Sequence, residues 1–163
     1  MKRKPKKVPR LSRCPACHSR DLVDTKIEHE IRVGPSAAWA SIPAQLCKGC
    51  GEDYAEGPAI LAAERLMAKV LGGYEPTPDS FRFLRSVISL RSNELAELLG
   101  VAPETVSRWE NGKAEIDRAA WLHLVNMIAD LETGRTPTLD RLRDALKARG
   151  RHVPRRAFKL KFA

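Results

Sequence analysis

Long apolar runs are missing from this chain. No stretch approaches the roughly 20 residues of a membrane span, and no apolar segment follows the basic start to act as the core of a secretory signal. A cytoplasmic protein with no membrane partner is therefore expected. Histidine is scarce, four residues with no two close in sequence, and no nucleophile motif is present. Those shortages argue against an enzyme. Cysteine occurs only in two short pairs, and the βαβ pattern that accompanies redox-active CxxC pairs is absent. Acids are absent from residues 1–13, MKRKPKKVPRLSR, which carry seven bases.

What is present fits a globular protein: 43% apolar and 30% charged residues. At 163 residues the chain holds one ordinary domain or two small ones, and each small one would be short of core. The net charge of +9 is unevenly spread. Residues 14–80 carry six bases against ten acids, whereas residues 81–163 carry sixteen bases against ten acids. A basic half suits phosphate contact, because each neutralised phosphate releases a condensed counterion.

Residues 1–13 read as a basic flexible tail. Loose apolar–polar alternation over Leu22–Val33 and an extended stretch from Trp39 to Leu46, broken at Gly34-Pro35, predict a short antiparallel pair. Ala59, Ile60, Ala63, Leu66, Met67, Val70 and Leu71 recur at helical spacing up to Gly72-Gly73. The stretch GGYEPTPD, residues 72–79, reads as a linker. Five helices are expected beyond it, at 80–90, 92–99, 103–110, 117–132 and 137–149. Thr136-Pro137 forms a good start for the last and Gly150 a good end. Residues 151–163 form a second basic tail. The fold class is α+β: a small hairpin-and-helix domain over 14–71, then an all-α domain over 80–150.

The cysteines form Cys14-Pro-Ala-Cys17 and Cys47-Lys-Gly-Cys50. Two residues between cysteines let a tight turn aim both thiolates at one point. Two such turns complete a tetrahedral cage with sulfur about 2.3 Å from zinc. One structural Zn2+ per chain, held by Cys14, Cys17, Cys47 and Cys50, is expected. Disulfides are the competing assignment, disfavoured without a secretion signal. His18 is read as solvated, since four thiolates already close the shell. The metal would staple a region too small to bury a sufficient core.

Residues 92–113, SNELAELLGVAPETVSRWENGK, carry the strongest motif. Leu95, Ala96 and Leu99 line one helix face, Gly100 supplies a turn needing positive φ, and Val106 and Trp109 face a core in the next helix. With Val106 at zero and 100° per residue, Glu104, Arg108 and Asn111 fall at about 160°, 200° and 140°, pointing outward. The stretch resembles the Xre/Cro-type helix-turn-helix family, in which the second helix of the pair enters the major groove of double-stranded DNA. The resemblance implies that Glu104, Thr105, Ser107 and Arg108 face the groove and that Asn111 and Lys113 lie near the backbone. Ser92, where many members have Gln, joins this candidate set. Glu104 is expected to orient Arg108 four residues on, or else to accept from cytosine N4. Ala102 stands where a capping Ser or Thr is common, at a cost of about 1 kcal/mol.

Two CxxC pairs around a strand pair, a helix and then an Xre-type domain resemble the MqsA/YgiT-type antitoxin family over most of residues 14–150. That resemblance implies a repressor that dimerises through its helical domain, binds operator DNA, and grips a toxin through its zinc domain. Residues 117–132 carry too many apolar positions for one stripe, so a second surface must cover them: a two-fold partner, or the last helix of the same chain. The acidic zinc domain suits a basic protein partner and repels DNA. A stand-alone zinc-containing Xre-family regulator without a toxin is the alternative. Whether the protein purifies alone or with a small bound partner separates the two.

Overall fold

The structure, a computed structural model, describes residues 10–148. Of the expected basic flexible tail 1–13, residues 1–9 lie outside the described residues, as do 151–163 and Gly150, whereas in its described end Leu11 N–H donates to Gln45 Oε1 at 2.9 Å and Arg10 pairs with Asp24. A three-stranded antiparallel sheet comes first, β1 (Leu22–Val33), β2 (Ser36–Cys47) and β3 (Asp53–Ala55), in the order β1-β2-β3. Six helices follow: α1 (Gly57–Leu71), α2 (Pro78–Val87), α3 (Ser92–Leu99), α4 (Pro103–Glu110), α5 (Arg118–Thr133) and α6 (Pro137–Ala148). The chain is α+β, as its sequence pattern indicates. Three details differ from the sequence expectation: β2 starts at Ser36 rather than Trp39, β3 is an additional strand, and α2 spans Pro78–Val87 rather than 80–90, so Pro78 and Asp79 of the expected linker open that helix.

The hairpin pairs Val33 with Ser36 at its tip and Leu22 with Cys47 at its base. Its apolar face gathers Ile27, Ile31, Val33 and Ile42 against Ala63 and Met67 of α1. This sheet-side core is small. A second, larger cluster fills the helical part, where Phe81, Leu84, Leu95, Val106 and Leu124 are fully buried.

Helix α1 belongs to both clusters. Ala63 and Met67 meet the sheet, while Ala68, fully buried, enters the helical core. Leu71 and Phe83 touch both cores. Where α1 ends, a side chain at Gly72 would stand 3.2 Å from both methyls of Val125, so the backbones of α1 and α5 approach closely. The apolar excess of α5 thus finds cover inside the chain: Val125 lies beside α1, and α6 adds Leu139 and Leu142 to the same core. Ala119, Leu122, Asn126 and Ala129 remain on the exposed side of α5.

Caps set the helix starts. Thr77 Oγ1 accepts from Ser80 N–H at 3.1 Å and Ser80 Oγ accepts from Thr77 N–H at 2.8 Å, a reciprocal box that starts α2 at Pro78. Asp117 accepts from Ala120 N–H at 2.9 Å and starts α5. Ala102 offers α4 no side-chain oxygen, so Pro103 at the first helical position and the turn before it define the start.

Candidate metal centre and nucleic-acid interface

The two cysteine turns are built alike. His18 N–H donates to Cys14 O and Gly51 N–H to Cys47 O, both at 2.9 Å. Cys14 N–H donates to Ser19 O and Cys47 N–H to Glu52 O, both at 2.8 Å. Each turn leaves its second cysteine through a left-handed residue, His18 at φ 60° and Gly51 at φ 82°. Glycine takes that conformation freely; a histidine there is strained by about 1 kcal/mol. His18 is exposed and is not one of the clustered ligands, so its role in this loop is conformational.

The four sulfurs lie within 4.8 Å of one another, with Cys17 Sγ 3.5 Å from Cys47 Sγ and Cys14 Sγ 3.6 Å from Cys50 Sγ. A tetrahedron of sulfurs about 2.3 Å from a central ion has edges of about 3.8 Å, so the cluster can hold a metal ion. Donors that are all sulfur suit a thiophilic ion. Cys14 and Cys47 are buried at the base of the hairpin, and Cys17 and Cys50 face solvent.

Tyr54 on β3 reaches into this cluster, its hydroxyl 3.2 Å from Cys14 Sγ. That hydrogen bond holds Cys14 down at about 6 and pushes Tyr54 up to about 12. Against a lowering hydrogen bond from the backbone at Glu52, desolvation and the neighbouring sulfurs push Cys50 up to about 12. The Cys14 thiolate forms readily while Cys50 resists, as close like charges must. A bound cation would lift that resistance. Tyr54 carries no signal in the residue pattern, because its place beside Cys14 depends on the short strand β3 returning alongside β2.

In the helical part, α3 and α4 meet across Gly100, which takes the left-handed conformation at φ 69°. Val106 and Trp109 turn inward, and the Trp109 ring meets Phe81 edge-on at 5.7 Å. Ser92, Glu104, Ser107, Arg108, Asn111 and Lys113 line one shallow open depression, together with Asn93 and Pro103. Thr105, half-buried, lies outside it. Asn111 Nδ2 donates to Ser107 O at 2.7 Å and so closes the last turn of α4. Among the described residues Glu104 and Arg108 form no ion pair, so the expected orienting contact is not made. Glu104 sits in the first turn of α4, where the helix dipole favours a carboxylate.

Behind this surface lies a network that the residue pattern concealed. Arg85 on α2 grips the Glu110 carboxylate with two nitrogens, at 2.5 and 3.2 Å, and donates a third bond to Leu90 O at 2.7 Å. Arg82 Nη2 donates to Glu110 O. Both side chains of the ion pair are largely buried. The end of α4 is thereby locked to α2.

Residues 89–120 match the model of a helix-turn-helix family. No curated protein matches the chain. The helix-turn-helix match spans α3, the Gly100 turn, α4 and the start of α5, the same segment that carries the depression. It supports a DNA-binding transcription regulator. Among the described residues, no helix is long and apolar enough to cross a membrane.

The Arg85–Glu110 pair generates a stability prediction. Glu110→Ala leaves a buried guanidinium unpaired and is expected to cost about 3–5 kcal/mol in denaturant unfolding, whereas joint replacement by Arg85→Met and Glu110→Leu recovers most of the loss. Equal losses in the single and double variants would show that the pair does not govern this region.

Proposed function

We propose that this chain is a cytoplasmic, sequence-specific repressor of transcription that binds double-stranded DNA, and the antitoxin of a type II toxin–antitoxin pair that neutralises its toxin and autoregulates its operon. The observation that carries the DNA-binding part is the depression across α3 and α4, which collects Ser92, Glu104, Ser107, Arg108, Asn111 and Lys113 on one open face. Phosphates are met by Lys113 and by the free N–H groups at the start of α3, beside Ser92 and Asn93. Arg108 reads guanine with two parallel hydrogen bonds. Glu104, without an ion pair to Arg108, is free to accept from cytosine N4. Thr105 flanks these contacts.

The proposed metal is zinc, one per chain, held by Cys14, Cys17, Cys47 and Cys50. With every position taken by thiolate, the ion supplies a structural clamp and no open site for water. The sheet unit and its four thiolates form an acidic surface suited to a basic toxin. The helical domain forms the homodimer, with the exposed stripe Ala119, Leu122, Asn126 and Ala129 on α5 as the contact. A dimer of this motif reads half-sites about one DNA turn apart.

Two measurements follow. Elemental analysis of freshly purified protein is expected to give one zinc per chain, and Cys50→Ser, which alters an exposed ligand and little packing, to lose it; wild-type protein free of zinc contradicts the assignment. In binding to a panel of operator variants, Arg108→Ala is expected to flatten discrimination by about 1–3 kcal/mol at one position, while Lys113→Ala weakens every sequence alike and lowers the salt slope by about one. Intact sequence preference in Arg108→Ala would place the reading surface elsewhere.

A further inference from the structure

Helix α2 has two working faces. Asp79 and Phe83, four residues apart, share the face that meets the sheet unit: Phe83 packs on the sheet-side core and Asp79 lies under the hairpin tip. A Cβ on Gly34, the first residue of that tip, would collide with the Asp79 carboxylate, its Cγ standing at 3.1 Å. Gly34 also has φ 55°, a backbone that other residues adopt at a cost. Pro78, Arg82 and Arg85, at spacings of four and three, form the other face, which holds the end of α4. The Pro78 ring lies against Gly112, where a Cβ would meet its Cγ at 3.4 Å. Arg82 and Arg85 bind Glu110. Gly112 and Glu110 flank Asn111 and precede Lys113, the phosphate-facing end of the proposed DNA surface.

We propose that α2 is a strut through which the position of the hairpin tip regulates DNA binding: tip seated on Asp79, the 110–113 segment is held in its binding form; tip lifted, that segment loosens and DNA affinity falls. The inference rests on the DNA-binding function proposed above. It needs no long chain of relays. The tip and the end of α4 touch adjacent faces, roughly a third of a turn apart, of the same first two turns of one helix, and a rigid helix held on two faces passes a displacement from one to the other. A protein partner that takes hold of β1 and β2 would work this strut.

The test uses the full chain and two readouts. Gly34→Ala places a methyl group where the exposed Asp79 carboxylate stands, so either that side chain turns away or the tip rises, and the seat is lost in both cases. Amide hydrogen exchange at residues 110–113 is expected to speed up in the free protein, with metal content unchanged. Affinity for a duplex selected by the wild-type chain from a random-sequence pool is expected to fall roughly threefold to tenfold. Asp79→Ala alone, which adds no bulk, covers the case in which Gly34→Ala does not fold and should show the same loosening in smaller measure. Unchanged exchange and unchanged affinity in these variants overturn the strut. A wild-type chain that selects no duplex overturns instead the DNA-binding function, and with it the regulatory role, while the exchange data still decide whether the tip and the 110–113 segment are mechanically joined.

Discussion

The ion pair between Arg85 and Glu110 fixes the end of α4, and the surface proposed to meet DNA depends on that fixed end. Taking a guanidinium and a carboxylate out of water costs several kcal/mol per ion, so such a pair persists only when the geometry is good and the remaining hydrogen-bonding groups are satisfied. Here both conditions hold. Arg85 spends its nitrogens on both oxygens of Glu110 and on Leu90 O, and Arg82 takes up the Glu110 carbonyl. Among the described residues no buried side-chain nitrogen or oxygen lacks a partner. Hydrophobic packing alone, through Val106, Trp109 and the edge-on contact with Phe81, would locate α4 but leave its rotation and its last turn softer. The polar lock sets where Asn111 and Lys113 stand.

The sheet unit meets a different constraint. Its own core is a handful of residues, too few to outweigh the entropy of ordering two twelve-residue strands. Two supports compensate. At the base of the hairpin four sulfurs converge, and the two matched turns aim them inward. At the tip, Gly34 and Phe83 bring the hairpin onto α2, and α1 runs between the two cores with a residue buried in each. The sheet unit is therefore clamped at one end by cysteine chemistry and at the other by the helical part. In the regulation proposed above, a partner on the sheet would reach the end of α4 through one helix.

Much of this was legible in the residues. The expected bounds of α3 and α4, 92–99 and 103–110, are those of the structure, with Gly100 in the left-handed conformation after α3 and Pro103 opening α4. The inward turn of Val106 and Trp109 follows from helical periodicity alone. β2 was read short because Ser36, Ala37 and Ala38 have weak strand preference and are held by pairing with β1, a tertiary effect. β3 is three residues long and too short for any period to show. The excess apolar surface of α5 is visible in the sequence, and so is α6 as one cover for it; the part played by α1 is not, because α1 presents little more than Ala68 and Gly72 to that side, small residues that carry no pattern. Arg85 and Glu110, twenty-five positions apart, look like two solvated charges until the fold brings them together.

The proposed DNA-reading surface is the outward face of α4 together with the start of α3. Backbone amide shifts of the full chain, followed while a duplex selected from a random pool is added, test it most directly. The largest changes are expected at residues 92–93, 104–108 and 111–113, with Glu28 and Trp39 on the outer face of the hairpin undisturbed. Largest changes on that outer hairpin face, with α4 silent, would contradict it.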